Sequence, residues 1–279
     1  MYTVIVENAK GQQLDLNKKY HTEITGLTPP NASINMSKVS GVDGSQFNSA
    51  AVNSRNIVLT IYPKQPVEVN RLRLYDYFLV GQTIKIYYKN GLRNVYTEGY
   101  VETIDGTFFT NREALQISIL CPDPYFKGAG EIVADISKLV SLFEFPFAID
   151  VAGIPLSEFN EYLIGQITND GNVSTGLTIE LSANGTVVNP VIYDADTRDS
   201  MGLRLTMQAN DLIRITTIKG KTGVVLIRGG ATTNIINTIL DGATWLQAQP
   251  GTNFYTYTVD DGLDNLSVKF MANALYSGV

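Results

Sequence analysis

The segment that most constrains the fold of this chain is LQISILCPDPYF, residues 115–126. Leu115, Ile117 and Ile119 alternate with other residues, which predicts a strand with one buried face. Two prolines then follow one residue apart. Because each proline removes a backbone N–H donor and restricts the residue before it, the sheet ladder cannot continue past them. The sequence therefore predicts that one β-domain ends here and that a second follows.

The length and composition are compatible with this division. A chain of 279 residues can hold two domains of ordinary size, and 44% hydrophobic with 17% charged residues is enough to form proper cores. We predict a first β-domain at 1–127, a connector at 128–160 and a second β-domain at 161–279. Within the connector, 134–142 has a weakly helical pattern, and 143–147 (FEFPF) is predicted to be extended because Pro146 restricts the residue before it.

The first domain has the pattern of a small antiparallel sheet or barrel. Its clearest single strand is RNIVLTIY at 55–62, with apolar residues on one face. Two further β-prone runs, 83–88 and 92–103, flank Lys89-Asn90-Gly91. Asn-Gly is the strongest short hairpin signal, because both residues tolerate a positive φ. We therefore expect these two runs to pair.

One helix is predicted in this domain, from Arg71 to Leu79, with Asn70 as its N-terminal cap and Gly81 beyond its end. Its apolar residues form two stripes at helical spacing, Leu72, Tyr75 and Leu79 on one and Leu74 and Phe78 on the other. We expect the helix to pack against the sheet.

A polar segment at 26–54 does not resemble core. Part of it is expected to pair as an edge strand, and 41–55 (GVDGSQFNSAAVNSR) has the composition of a long loop. Phe47 is isolated there among small polar residues, so it either anchors a neighbouring subunit or folds back onto its own sheet. Phenylalanines near the joint pack the domains together or contact the next protomer. The candidate subunit or partner interface is Gln46, Phe47, Asn48, Arg55, Phe143 and Phe145.

The second domain shows the strand spacing of a β-sandwich, and we predict a jelly-roll or galectin-like arrangement. Leu177, Ile179 and Leu181 alternate, and Lys219–Gly223 is predicted to be the turn of a hairpin. Trp245 is the single tryptophan and precedes the turn at 250–253. The fold class is therefore mainly β throughout.

Candidate chemistry is sparse. One cysteine and one histidine exclude a disulfide framework and most transition-metal sites. The acidic segment 194–199 (DADTRD) lacks the glycine and distant glutamate of an EF-hand loop, so a hairpin turn is the better interpretation. His21 is expected to be a surface or edge-strand residue, and Cys121 a buried, unreactive thiol. We predict no cofactor, no metal and no catalytic residue.

The charge pattern limits the partners. The formal net charge is −6, and no cluster of lysines and arginines along the sequence exceeds two or three residues. Sequence-independent nucleic-acid binding needs a clustered basic surface, so it is not expected. No signal-peptide pattern and no run of eighteen apolar residues is present, so we expect neither export nor membrane insertion.

Several segments, in order along nearly the whole chain, resemble the distal tail proteins of long-tailed, non-contractile phages infecting Gram-positive bacteria. The Cys-Pro-Asp-Pro-Tyr-Phe segment alone is moderately specific for this family, whereas the whole set of segments in the same order is a strong match. The matching segments are Arg71–Gly81 with the following hairpin, Gly99–Glu102, Cys121–Phe126, Phe143–Phe147, Asn169–Gly171, Asn189-Pro190, and Trp245 followed by Pro250-Gly251 and Asn253.

The resemblance implies a structural protein of the virion tail tip, assembled in the host cytoplasm. Six first domains, tail-tube-like in fold, would form a ring, and galectin-like second domains would point outward. The implied partners are further copies of the chain, the major tail tube protein, the tail-associated lysin or tail tip protein, and receptor-binding or baseplate proteins. DNA would pass through the ring without sequence-specific contacts.

Two other functions stay open from the residues alone. The sandwich could bind host cell-wall sugars directly, with Trp245 as an exposed stacking platform. A wall hydrolase would need two convergent carboxylates or a metal, and the sequence shows neither.

Overall fold

The computed structural model describes residues 2–108, 110, 113–137, 139–141, 157–159 and 164–279. The chain divides into two compact units. Unit 1 comprises Met1–Ala129 and Leu275–Val279, and unit 2 comprises Gly130–Ala274. The sequence-based division differs in that it assigned the last five residues to the second domain.

Unit 1 contains nine strands and one helix among the described residues. In chain order they are β1 (Thr3–Asn8), β2 (Gln13–Asp15), β3 (Tyr20–Thr25), β4 (Ala32–Ser37), β5 (Gln46–Val52), β6 (Arg55–Pro63), α1 (Val67–Tyr77), β7 (Thr83–Lys89), β8 (Asn94–Thr107) and β9 (Ala114–Cys121). A further strand, β10 (Phe126–Ser137), begins in unit 1 and ends in unit 2.

The main sheet of unit 1 is antiparallel. Strands β2, β1, β7 and β8 are consecutive neighbours, β9 pairs with β8, β6 with β9, and β3 with β6. Alternate residues of these strands, such as Val4, Leu59 and Ile117, form the buried core. The β7–β8 hairpin predicted at Asn90-Gly91 is confirmed, and the Asn90 side chain accepts hydrogen bonds from the backbone N–H groups of Leu92 and Arg93.

The helix begins four residues earlier than predicted. Asn70 therefore lies inside it and caps nothing; its amide nitrogen donates to the Lys64 carbonyl 2.9 Å away. Leu74 and Phe78 pack into the core, whereas Leu72 and Leu79 are exposed. The helix packs on the sheet as expected, but through the second predicted stripe.

Unit 2 is built from short strands and two 3₁₀ turns, at Ile236–Thr238 and Leu263–Asn265. Its strands are β11 (Leu139–Ser141), β12 (Ser157–Phe159), β13 (Ile164–Asn169), β14 (Thr175–Gly176), β15 (Thr178–Ala183), β16 (Val187–Val188), β17 (Val191–Asp194), β18 (Ser200–Gly202), β19 (Thr206–Met207), β20 (Leu212–Thr216), β21 (Gly223–Arg228), β22 (Ala231–Asn234), β23 (Gln247–Ala248), β24 (Gly251–Thr258) and β25 (Leu266–Tyr276), whose last two residues belong to unit 1.

Two sheets contribute to one core in unit 2, which confirms the predicted sandwich. One sheet has the order β25-β15-β20-β21-β22, and the other has the order β13-β24-β17-β18. Ile179, Ile215 and Phe270 of the first sheet and Ile192 and Tyr255 of the second belong to the same buried cluster. The predicted β20–β21 hairpin is confirmed. The helical prediction for 134–142 is wrong where the chain is described, because β10 continues through Ser137 and Leu139–Ser141 is a strand.

None of the helices in the described part of the chain has the length and apolar character needed to cross a membrane.

Candidate subunit interface

Strands β4 and β5 form a two-stranded ribbon between β3 and β6, and they pair only with each other. Directly opposed residues of an antiparallel pair point to the same face. One face of the ribbon is apolar throughout and consists of Ala32, Ile34, Met36, Phe47, Ala50 and Val52. The other face carries mainly polar residues, Ser33, Asn35, Ser37, Gln46, Ser49 and Ala51. We call the first of these surfaces the ribbon's apolar face.

A β-bulge at Asn48 determines which side Phe47 joins. Asn35 opposes Ser49, but Met36 opposes Phe47, so one residue of β5 is left unpaired. If the ladder continued without a bulge, Asn48 would oppose Met36, and Phe47 would oppose Ser37 on the polar face. Bulges commonly re-aim a side chain in this way. The Asn48 side chain itself accepts a hydrogen bond from the Ser37 hydroxyl at 3.2 Å.

The ribbon's apolar face is open to solvent. Ile34 and Met36 are each 59% exposed, and Phe47 is 62% exposed. Gln46, Phe47 and Asn48 thus lie on a surface strand, and the prediction of a long loop at 41–55 is wrong because Gln46–Val52 pairs with Ala32–Ser37. The predicted interface omitted Ile34 and Met36. Their spacing of two residues was the signal, and the bulge hid the matching alternation on β5.

Arg55 is not a surface residue, contrary to its predicted place in the interface. Its side chain is only 2% exposed. The guanidinium donates hydrogen bonds to the carbonyl oxygens of Gly26, Thr28, Pro124 and Ser277. It also lies over the Phe126 ring, 4.3 Å from the centroid. Burial lowers the pKa of Arg55 from its ordinary value. Arg55 therefore holds together, from the interior of unit 1, the segments at the base of the ribbon, which we call the ribbon root.

Gly26 completes this root. Its φ is +84°, and a Cβ there would lie 2.1 Å from the Asn56 carbonyl oxygen. Only glycine fits where the chain leaves β3 for the ribbon.

A second exposed apolar surface lies on and beyond α1. It consists of Val69, Leu72, Leu79 and Val80, and we call it the helix patch. Val69 and Leu72 are three residues apart, so they are neighbours on the helix surface.

The solvent-facing side of β3, β6, β8 and β9 carries polar and acidic residues at one end, beside the exposed Leu120 and Tyr100. It carries Glu23, Thr60, Gln116 and Asp105 in one row across the four strands. Beside this row, the Ser118 hydroxyl contacts Glu102 at 2.9 Å and Asn56 at 3.1 Å. None of these residues is a lysine or an arginine. We call this surface the acidic sheet face.

The other predicted candidates have ordinary structural positions. His21 is exposed on β3, an edge strand, 3.7 Å from a Glu23 oxygen. Cys121 is fully buried, and burial raises the pKa of its thiol. Asp194 closes the β17–β18 turn by accepting hydrogen bonds from the N–H groups of Asp196 and Thr197. Across the residues described, no group of three or more His, Cys, Asp or Glu side chains is placed to hold a metal. Phe143 and Phe145 lie outside the described residues.

Trp245 is half-buried and packs against the core of unit 2. The carbohydrate-binding alternative requires an exposed ring as a stacking platform, and the Trp245 ring is only partly exposed.

The fold was compared with known proteins. No family model matches the sequence, and the search of curated proteins gave no match. The structure is similar to the crystal structure of the SPP1 Dit (gp 19.1) protein, described as a paradigm of the hub adsorption apparatus in phages infecting Gram-positive bacteria. The match covers 99% of both chains, with a TM-score of 0.68 and 13% identity. It is also similar to a chain of the phage P2 baseplate in its activated conformation, over 100% of both chains, with a TM-score of 0.52 and 10% identity.

Proposed function

We propose that this chain, which has the fold of the phage Dit hub proteins, is a structural hub of a phage tail tip and forms a ring of six copies. The ring joins the major tail tube protein to the tail-associated lysin and to the receptor-binding or baseplate proteins, and it carries out no catalytic step. The similar proteins are phage hub and baseplate components. The single observation that supports a ring of subunits is the exposed apolar face of the ribbon.

A two-stranded ribbon with one apolar face is marginal in water unless another surface covers it. Ile34, Met36 and Phe47 are more than half exposed, and covering each side chain stabilises an assembly by about 1–2 kcal/mol. Arg55 and Gly26 hold the root rigid, so the ribbon is presented in a defined direction. Such pre-organisation lowers the entropy cost of association.

A closed ring of identical copies needs a head-to-tail contact between two different surfaces. The helix patch is a second group of exposed apolar side chains in unit 1. We assign the contact to the ribbon's apolar face of one copy packed on the helix patch of the next copy. The count of six comes from the resemblance to distal tail proteins.

The acidic sheet face supports passage of DNA. Glu23, Glu102 and Asp105 repel phosphates, and the absence of cations from its rows means that DNA would not be retained. In the proposed ring, this face lines the lumen.

The experiment compares two glutamates introduced on opposite faces of one strand. Phe47→Glu places a charge in the ribbon's apolar face, and Ser49→Glu places the same charge on the polar face. By light scattering at micromolar concentration, we expect a mass near six times the 30.6 kDa chain for the unmodified protein and for Ser49→Glu. Phe47→Glu should be monomeric.

A mixing experiment tests the pairing of the two surfaces. Leu72→Glu should also be monomeric, because its helix patch is lost. A mixture of Phe47→Glu and Leu72→Glu retains one intact ribbon and one intact helix patch, and should therefore give heterodimers that cannot close. A hexameric Phe47→Glu variant, or a mixture that stays monomeric, would contradict the assigned contact. Rings of another symmetry in electron micrographs would contradict the proposed hub.

A further inference from the structure

A basic groove lies in unit 1, outside the ribbon, the helix patch and the acidic sheet face. It has a volume of about 360 Å³ and is lined by Ile5, Gln13, Leu14, Asp15, Lys18, Lys19 and Arg73. Lys18 and Lys19 are in the turn before β3, and Arg73 is on α1. The fold thus brings together cations that are more than fifty residues apart in the sequence.

A fourth cation belongs to the same rim. The Lys64 side chain donates to the Lys18 carbonyl at 3.3 Å, and its backbone N–H donates to the Lys19 carbonyl at 3.0 Å. These contacts hold the segment after β6 against the turn before β3. Three positive side chains therefore line the groove and a fourth, that of Lys64, is held beside it, in a chain whose net charge is −6.

Only one carboxylate among the groove residues opposes these charges. Asp15 lies 3.7 Å from the Lys18 ammonium, a weak contact at an exposed site. Within the part of the chain that the structure describes, no ion pair joins Lys19, Lys64 or Arg73 to a carboxylate. Arg73 lies over the Tyr77 ring at 6.0 Å, which orients its guanidinium without neutralising it. The groove has an unbalanced positive charge.

The shape of the groove favours a peptide over a nucleic acid. Ile5 and Leu14 give it an apolar wall, and its volume matches a few side chains. Nucleic-acid binding typically engages six to ten phosphates along an extended basic surface, which four clustered cations do not supply.

We propose that this groove binds an acidic, extended segment of a partner protein, with carboxylates paired to Lys18, Lys19, Lys64 and Arg73 and apolar side chains against Ile5 and Leu14. The groove does not share residues with the ring contact, so this interaction does not depend on the proposed function. Its occupant is identified by charge complementarity.

The test uses the full-length chain and fluorescence anisotropy of a labelled, acetylated peptide, Glu-Leu-Glu-Leu-Glu-Leu. We expect binding at 50 mM NaCl that weakens about tenfold at 300 mM, because exposed charges are screened. The same peptide with glutamine at each glutamate should bind at least tenfold more weakly. Lys19→Glu and Arg73→Glu should each reduce the affinity at least tenfold.

Lys221→Glu is the matched control, because it makes the same change in net charge at an exposed turn of unit 2. It should leave the affinity within about twofold, as expected for a distant exposed charge. An equal loss in Lys221→Glu, or no binding of the acidic peptide at millimolar concentration, would overturn the proposal. Tighter binding of a hexathymidine oligonucleotide that is lost in Lys19→Glu would instead identify a phosphate site. Circular dichroism of each variant checks that it is folded.

Discussion

Unit 1 and unit 2 carry opposite net charges. Unit 1 has 13 lysines and arginines against 11 aspartates and glutamates, and unit 2 has 8 against 16. The formal net charge is therefore +2 for unit 1 and −8 for unit 2. The units also differ in where their apolar side chains lie. Where side chains are described, fifteen of the exposed large hydrophobic residues belong to unit 1 and five to unit 2.

This difference separates two ways of using apolar residues. Unit 2 buries its apolar residues between two sheets, where they stabilise the fold of the unit itself. Unit 1 keeps a similar internal core but places additional apolar residues on the ribbon and the helix patch, where they stabilise nothing within one chain. Side chains retained at such positions are typical of an interaction surface.

The largest effect is expected from removing the same side chain in each unit. Phe270→Ala empties a fully buried site in unit 2 and should lower its free energy of unfolding by about 4 kcal/mol. Phe47→Ala should leave the stability of the monomer unchanged and weaken ring assembly. Trp245 is the only tryptophan and lies in unit 2, so its fluorescence during urea unfolding reports that unit. A loss of monomer stability in Phe47→Ala would show that the Phe47 side chain packs in an internal core.

A smaller effect is expected at the ribbon root. Arg55→Met leaves carbonyl acceptors without a donor and should destabilise unit 1 by about 3 kcal/mol. Hydrogen exchange should become faster at 26–28 and along β6, and should be unchanged along β15 of unit 2. Arg214→Met is the control: this arginine forms a partly exposed ion pair with Glu180, so the cost should be below about 1 kcal/mol. Unchanged exchange at 26–28 would mean that Arg55 does not hold the root.

The smallest effect concerns pH. A hydrogen bond from Arg228 holds the pKa of Asp211 below its ordinary value. Folding therefore favours the ionised carboxylate, and its contribution to stability is present above the unfolded pKa of about 4 and is lost as pH falls through the lower folded pKa. Asp211→Asn should lower the Tm of unit 2 by roughly a few degrees at pH 7.

The gap in Tm between the unmodified protein and Asp211→Asn should then narrow as the pH approaches 3. Asp241→Asn, at an exposed position of the same unit, should show no such gap at either pH. A gap that stays constant with pH would show that the Asp211 carboxylate acts through its shape and not through its charge.

Local turn chemistry explains which parts of the fold were predictable. The Asn90-Gly91 and Lys219–Gly223 turns each join strands that pair directly, so neighbouring residues carried the information. The strands that flank Asp260–Gly262 belong to different sheets. Turn residues of the same type can therefore also connect one sheet to the other. Which strands pair across a sandwich depends on residues far away in sequence.

The candidate interface was only partly predictable for a related reason. Phe47 stood out because it is a large apolar residue in a polar segment. Met36 opposes Phe47 only because the register shifts at the bulge, and Arg55 is surrounded by carbonyl groups of residues 26, 28, 124 and 277. The sequence showed two apolar stripes on the helix but not which of them faces the core, because periodicity gives the angle between residues and not the direction of the core.

The extra residue at Asn48 has a consequence for how such a chain can change over generations. Substitutions along β5 trim or enlarge one surface gradually. Loss of the single codon for Asn48 would join Phe47 directly to Ser49, and the regular alternation of the strand would keep Phe47 opposite Met36 and Gln46 opposite Ser37. A lineage can therefore lose this residue in one mutational step and keep the aromatic ring on the apolar face, because the bulge absorbs the change in length.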